Sequence, residues 1–144
     1  MAGINFQGIL IGISTDGVAY TPIGCITSYT RAGTARAEID TTCNTSTSKE
    51  FSFGLRDNGT LSVDVNYDPE GTGWGMVEDS EASDTPYFFQ IEFPNPVTPV
   101  TGDGTKKTFE GYVINTSDTG SVDSIITASL EVKIDGDITT TPAT

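Results

Sequence analysis

Histidine is absent from the sequence and basic residues are few: the 144 residues include 7 Lys and Arg against 20 Asp and Glu, a net charge of -13. Without imidazole there is no histidine general base, no Ser-His triad and no histidine metal ligand. Specific binding to nucleic acid is disfavoured, because affinity for duplex DNA comes mainly from Lys and Arg. An acidic surface would instead repel the phosphates of nucleic acid.

Long apolar runs are also missing. The run Ile9–Ile13 has the length of a strand, whereas a membrane span needs about 20 apolar residues. Met1–Asn5 lacks the basic start of a signal peptide. Cys25 and Cys43 could form a disulfide, or they could be two small, buried or half-buried side chains in a reducing cytosol. These features predict a soluble protein that is made in the cytosol and does not contact a membrane.

The residues that are abundant favour strands. The chain has 13 Ile, 9 Val and 23 Thr but only 4 Leu and 8 Ala. β-Branched side chains suit a pleated surface, and Leu and Ala suit helices. Sixteen Gly and seven Pro supply frequent turns. The composition predicts a mainly β protein, and the length fits a single domain over residues 1–144.

Alternation of apolar and polar side chains is clearest from Gly59 to Tyr67 and from Ile126 to Ile134. One helix is expected at Thr72–Ala82, formed by docking Trp74 onto a sheet. A turn is expected at Asp135–Asp137, with a frayed tail from Thr139. Shorter segments with strand character complete the set: Gly8–Ile13, Val18–Thr21, Gly24–Thr30, Ala35–Thr41, Lys49–Gly54, Phe89–Phe93 and Thr108–Ile114.

Two segments are expected to be loops. Thr41–Ser48 contains one apolar residue in eight and cannot bury enough surface to order itself, which predicts a long mobile loop. Pro96–Lys107 is the second expected loop.

Charge is segregated along the chain: ten acids and no basic residue lie between Arg56 and Lys106, and four of the seven basic residues lie in Arg31–Arg56. This predicts one strongly negative face and a modestly basic strip elsewhere.

Catalytic and metal-binding patterns are weak. The acids occupy polar strand positions or turns, so no pair is singled out for acid–base chemistry. Asp57–Gly59 and Asp135–Asp137 have the composition of a Ca²⁺ loop without its spacing. Gly102–Thr108 lacks the phosphate-loop spacing and leads into a strand. The sequence therefore predicts no enzyme activity, no metal and no cofactor.

Several short runs together resemble the tail tube (major tail) proteins of long, non-contractile-tailed bacteriophages. The similarity extends from about Gly24 to Ile138 and is most specific from Ile39 to Pro69. The matching runs are Ile23–Tyr29, Ile39–Thr42, Ser48–Phe51, Gly54–Ser62, Tyr67–Pro69, Phe109–Val113 and Lys133–Gly136.

The resemblance implies an antiparallel β-sandwich or partly closed barrel with one short flanking helix and a long polar loop. It implies that six copies form a ring, that rings stack into a tube, and that strands from all subunits line a lumen through which the genome passes. Implied partners are further copies of the chain, a tape measure protein, a tail terminator, a tail-tip initiator and transiently passing DNA. The implied location is the virion tail, assembled in the host cytoplasm. Many relatives carry a C-terminal decoration domain, and none is expected within residues 1–144.

Site residues follow from the same resemblance. The loop Thr41–Lys49 is expected to reach a neighbouring ring and to order on assembly. Residues expected at inter-subunit and inter-ring contacts are Asp40, Thr41, Thr42, Asn44, Ser48, Lys49, Glu50, Arg56 and Asp57. An acidic wall would repel DNA phosphates, and its candidate lumen acids are Asp64, Glu92 and Glu110. Arg31 and Arg36 could meet acids of the next subunit or could simply be solvated.

An alternative from another class is a small β-sandwich that binds carbohydrate. Such a module needs several exposed aromatic side chains on one face. The chain has one Trp, in the expected helix, so this alternative has less support. Another ring-forming tail or secretion-tube component is a further alternative within the structural class.

Overall fold

The computed structural model describes residues 3–98 and 101–144, so the start of the expected domain and part of the expected loop Pro96–Lys107 lie outside the described residues. The described residues contain a single helix, α1, which spans Thr72–Glu81. The strands are β1 (Leu10–Ser14), β2 (Thr21–Pro22), β3 (Cys25–Arg31), β4 (Ala35–Asp40), β5 (Phe51–Asp57), β6 (Thr60–Asn66), β7 (Tyr87–Glu92), β8 (Lys106–Thr119) and β9 (Thr127–Thr141).

Seven strands form one antiparallel sheet in the order β2-β1-β7-β8-β9-β6-β3, and β4 and β5 form a separate two-stranded sheet. The mainly β class with one short helix is therefore confirmed. No helix within the described residues has the length and apolar character that a membrane span requires.

The core lies on one face of the large sheet, because apolar residues alternate with polar ones along the central strands. Cross-strand partners such as Ile11 and Ile91, or Leu61 and Val132, place apolar side chains side by side. The rings of Phe89 and Phe109 stack with their centroids 5.9 Å apart. Side chains that are almost fully buried include Ile11, Ile13, Leu61, Val63, Val65, Phe89, Ile91 and Val132.

The large sheet curves around this core. Tyr29 and Arg31 line the same cavity as Ile91 and Phe93, although four strand spacings separate β3 from β7. Those spacings would span about 19 Å in a flat sheet. The apolar face is therefore concave.

Helix α1 packs on the apolar face as the sequence predicted. Trp74 is 5% exposed and meets Tyr67 edge to face, with ring centroids 6.0 Å apart. A Cβ atom at Gly73 would lie 1.9 Å from the carbonyl oxygen of Pro22. Glycine at this position lets the helix approach β2 closely, which offsets the lower helix propensity of glycine.

The final hairpin is longer than expected, and the expected frayed tail was wrong. Asp135–Asp137 does not turn the chain: it forms an irregularity inside β9, which continues to Thr141 and pairs with the start of β8. The backbone carbonyl of Thr144 accepts hydrogen bonds from the amides of Val97 and Thr98, at 2.8 and 3.0 Å. Backbone pairing therefore orders this polar segment, although it has almost no apolar side chains to bury.

The second expected strand, Val18–Thr21, was also wrong for most of its length. Only Thr21–Pro22 pairs with β1. Val18 belongs to a turn in which Asp16 Oδ1 accepts hydrogen bonds from the amides of Val18 and Ala19, at 2.9 and 3.2 Å. The carboxylate of Asp16 thus satisfies the amides that a strand would have paired.

Candidate functional site

Strands β4 and β5 and their connection form a projecting hairpin, residues 35–57, called the arm below. Among the described residues, these two strands pair with each other and with no other strand. Four of its apolar side chains are exposed: Ile39 at 50%, Phe51 at 48%, Phe53 at 60% and Leu55 at 94%. Phe51 and Phe53 lie on one face of the hairpin, and Ile39, which pairs with Ser52, lies on the other. The arm therefore exposes apolar side chains suited to a partner on both faces. The sequence gives no sign of this exposure, because the same side chains would equally suit the interior of a strand.

The arm is fastened to the large sheet at its base. Asn58 is 5% exposed; its Nδ2 donates a hydrogen bond to the carbonyl of Gly136, and its Oδ1 accepts one from Thr34 Oγ1 at 3.1 Å. Lys133 Nζ lies 3.1 Å from Asp57 Oδ1. The glycine turn at 57–59 and the irregular segment at 135–137 of β9, which the sequence singled out separately, therefore meet.

The connection at the end of the arm is hydrogen-bonded, which differs from the mobile loop expected for Thr41–Ser48. Thr42 Oγ1 accepts a hydrogen bond from the amide of Glu50 at 2.8 Å. Ser46 Oγ donates to Glu50 Oε2 at 2.7 Å and accepts from the amide of Cys43 at 3.2 Å. Side-chain hydroxyls and a carboxylate replace the missing apolar contacts, which composition alone does not reveal.

Both cysteines are free and exposed, so the expected buried or half-buried environment was wrong and no disulfide joins them. The Cys43 thiol contacts Ser46 Oγ at 3.4 Å and Thr45 Oγ1 at 3.1 Å. Hydrogen bonds from Ser46 and Thr45 stabilise the thiolate and lower the pKa of Cys43 from 9.0 to about 7.

All nine residues expected at subunit contacts lie on the arm, and all are exposed. The structure brings Thr42 and Glu50 together and places Asp40 Oδ1 2.9 Å from the amide of Thr42. Asp57 is separate, at the base. The complete set is Asp40, Thr41, Thr42, Asn44, Ser48, Lys49, Glu50, Arg56 and Asp57.

The arm carries basic side chains that are not neutralised within the chain. Among the described residues, Arg36, Lys49 and Arg56 on the arm and Arg31 at the end of β3 take part in no ion pair, since the ion pairs there involve Lys106 and Lys133. Arg36 instead stacks over the ring of Phe53, with its guanidinium carbon 5.0 Å from the ring centroid. A neighbouring molecule could therefore approach both a cation and an aromatic ring at this point.

The candidate lumen acids Asp64, Glu92 and Glu110 all lie on the face of the large sheet that points away from the core. They occupy β6, β7 and β8 at positions that alternate with buried residues. They are spread across this face. Ser129 and Ser28 donate hydrogen bonds to the Asp64 carboxylate, which lowers the pKa of Asp64 below its ordinary value of 3.8.

The acidic block does not form one face, so that expectation was wrong. Asp64 and Glu92 lie on the outer face of the sheet, whereas Glu78, Asp79 and Glu81 belong to α1 on the opposite side. Glu78 Oε1 accepts a hydrogen bond from Trp74 Nε1 at 3.1 Å. The crossing of the chain from β6 to α1 distributes the acids over both sides.

A second exposed apolar cluster lies at residues 118–126, called the tip below, where β8 passes into β9. Its side chains Val122, Ile125 and Ile126 are 91%, 70% and 48% exposed. The carbonyl of Ile126 accepts a hydrogen bond from the amide of Tyr67 at 3.0 Å. The sheet also has two free edges, β3 and β2. Neither the exposed apolar side chains of the tip nor the free sheet edges could be predicted, because no local sequence pattern indicates them.

Comparison with family models gives one match over most of the chain. A family model described as phage tail tube, lambda-like, matches residues 9–144. No curated protein matches the sequence.

Solved structures resemble the chain in fold. A chain of the native gene transfer agent virion has a TM-score of 0.72 at 14% identity, covering 96% of this chain and 99% of that one. The SPP1 tail tube gives 0.71 at 11% identity, covering 97% and 80%. The sheath/tube terminator structure of an extracellular contractile injection system gives 0.73 at 10% identity, covering 98% of each chain.

Proposed function

The chain belongs to the lambda-like family of phage tail tube proteins, and on that premise we propose that six copies form a ring and that rings stack into the tail tube. The observation that carries this proposal is the arm, whose apolar side chains are exposed on a hairpin that pairs with nothing else in the described chain. Burial of apolar surface is favourable by about 25 cal/mol per Å². The arm therefore gains stability by contacting another molecule, and a further copy is the partner that stacking supplies.

Ring closure uses the two free edges of the large sheet. Edge strands present unpaired backbone amides and carbonyls that pair readily with another strand. Edge β3 is seven residues long, and β2 at the opposite edge is two residues long, which leaves part of β1 available beside it. Contact between opposite edges of successive copies is head-to-tail and closes into a ring when the rotation fits. The joined sheets then surround a lumen.

The outer face of the sheet lines this lumen, with Asp64, Glu92 and Glu110 as its acids. Two basic residues share the face, but Lys106 lies 3.0 Å from an oxygen of Asp103 and Lys133 is paired with Asp57. The unpaired charge on the wall is therefore negative. Such a wall repels phosphates, so that the genome passes during ejection without binding.

Stacking uses the arm. Its nine polar contact residues, with Arg31 and Arg36, meet the adjacent ring and offset the repulsion between copies that each carry a charge of -13. The hydrogen bonds of Thr42, Ser46 and Glu50 hold the arm end close to its docking conformation. Pre-organisation of this kind reduces the entropy lost on assembly.

A tube of defined length needs further proteins at its ends and within it. The proposal includes a tail-tip initiator, a tape measure protein and a terminator, with assembly in the host cytoplasm and a final location in the virion tail. The carbohydrate-binding alternative has no exposed Trp to stack on a sugar ring, because Trp74, the one Trp of the chain, is buried under the sheet.

Deletion of Thr42–Thr47 tests the role of the arm. We expect a folded protein that forms no tubes in negative-stain electron microscopy, while the unaltered chain forms hollow tubes under the same conditions. A matched control replaces the same six residues by Gly and Ser, which keeps the length but removes the hydrogen bonds. Circular dichroism checks that each variant is folded. Normal tubes from the deletion variant would remove the arm end from assembly.

A further inference from the structure

We infer that the arm of one copy docks on the tip of a second copy in the adjacent ring. This inference rests on the proposed function, because it identifies the surface that receives the arm when rings stack. It is carried by three properties of the chain: the positions of arm and tip, their exposed apolar side chains, and their charges.

Arm and tip emerge from opposite ends of the large sheet. Strand β6 begins at Thr60, directly after the base of the arm, and pairs there with Lys133. It ends at Asn66, which pairs with Thr127 directly after the tip. Six residue steps of antiparallel strand span about 20 Å. The base of the arm and the tip of one copy are therefore held apart by the sheet, and each can be covered by the opposite surface of another copy.

Both surfaces expose apolar side chains that would fit a shared interface. On the tip, Val122 and Ile125 are 91% and 70% exposed; on the arm, Leu55 and Phe53 are 94% and 60% exposed. The tip is shaped by its own contacts, since Ser121 Oγ and Ser124 Oγ are hydrogen-bonded at 2.7 Å. Ordered apolar side chains of this kind form the centre of stable interfaces.

The arm offers cations to a tip that carries only acids. The arm, residues 35–57, holds three basic side chains, Arg36, Lys49 and Arg56, which take part in no ion pair among the described residues, together with four acids. Residues 108–132 hold four acids and no basic residue; two of the acids, Asp118 and Asp123, lie on the tip. Ion pairs between the cations of the arm and Asp118 or Asp123 of the tip would fix the register of the contact, and two tips would repel each other.

A contact between different surfaces at opposite ends makes the stack polar. Each ring then presents arms at one end and tips at the other, so that rings add repeatedly in one orientation. Each added ring leaves a free surface for the next ring, so that the contact repeats along the tube axis without closing.

Val122→Asp tests the contact, with Val97→Asp as the matched control. Both side chains are well exposed, at 91% and 75%, so neither change should affect folding. Position 97 belongs to neither arm nor tip. The tip variant should raise the critical concentration for tube formation by roughly tenfold or more, the effect of losing one interface hot spot, and the control should not. Leu55→Asp on the arm should act like the tip variant.

Mixing gives the sharper result. The Val122→Asp chain keeps a working arm, and the Leu55→Asp chain keeps a working tip. Their mixture should form one junction and then stop, which gives a complex larger than either component in sedimentation but no tubes. Tubes from the Val122→Asp chain at the unaltered critical concentration would overturn the inference.

Cross-linking separates failure of the inference from failure of the proposed function. Benzophenone-maleimide is attached at Val122→Cys in a chain that also carries Cys25→Ser and Cys43→Ser, and the concentrated protein is irradiated. Intermolecular links that map to residues 35–57 support the contact even where no tubes form. Links only to other segments, or none, overturn it. Tubes formed without arm–tip links leave the tail tube proposal standing and refute this contact alone.

Discussion

Asn58→Ala is the change that tests most directly how the arm is fixed to the sheet. The side chain is 5% exposed and joins three parts of the chain: its own turn, Thr34 at the start of the arm, and Gly136 inside β9. Alanine removes both hydrogen bonds. Thr34 and Gly136 are exposed, so water can replace the lost partner at each of them.

The expected loss follows from this solvent access. A hydrogen bond contributes about 0.5–1.5 kcal/mol net, and the larger penalty for a buried unpaired group does not apply to partners that water reaches. Two bonds then give a fall of about 1–3 kcal/mol in the free energy of unfolding. In urea, where m is about 1–3 kcal/mol/M for a small protein, the unfolding midpoint should fall by on the order of 1 M. Urea titration followed by circular dichroism measures this shift.

Two matched variants complete the test. Thr34→Val removes one of the two bonds and should show about half the loss, in the range of about 0.5–1.5 kcal/mol. Asn44→Ala changes an exposed Asn at the end of the arm and should stay within about 0.5 kcal/mol of the unaltered chain. An Asn58→Ala chain as stable as the Asn44→Ala chain would refute the role assigned to Asn58.

Three further predictions concern the helix, a carboxylate and a thiol. Gly73→Ala should destabilise the protein by more than about 1 kcal/mol, because a Cβ there would lie 1.9 Å from a carbonyl oxygen of β2. Gly75→Ala should stabilise the protein by up to about 1 kcal/mol, because a Cβ there would have nothing within 4 Å. Thermal unfolding of the two variants compares their stabilities. NMR titration should give Asp64 a pKa below 3.8, and Ser129→Ala should raise that pKa. Because the pKa of Asp64 is lower in the folded protein, its ionised carboxylate stabilises the fold above pH 3.8, and this stabilisation is lost as the pH falls through the folded pKa. Iodoacetamide should alkylate Cys43 with a pH midpoint of about 7, well below that of an unperturbed thiol, and a midpoint near 9 would refute the hydroxyl contacts.

Local patterns in the sequence predicted the elements whose stability is local. Alternation identified β6 and most of β9, and the spacing of Trp74 and Val77 identified α1 to within one residue. The Asp57–Gly59 turn was also predictable, because glycine readily adopts the positive φ of 77° found at Gly59. These features depend on residues a few positions apart.

Features that depend on distant residues could not be predicted. The contact between Asn58 and Gly136 joins positions 78 residues apart, and no local pattern records it. Likewise, Thr139–Thr141 has no apolar side chains, and its order comes from pairing with the start of β8. The expected contact residues of the arm come from the family resemblance. The exposure of Phe53 and Leu55 could not be predicted, because such side chains are equally common in buried strands.

Electron microscopy of the purified, unaltered chain tests the central claim most directly. The protein is concentrated, incubated for a long period and imaged by negative stain, with image averaging of end views. The account predicts hollow tubes whose end views have six-fold symmetry. Filaments without a lumen, or rings with another symmetry, would contradict it.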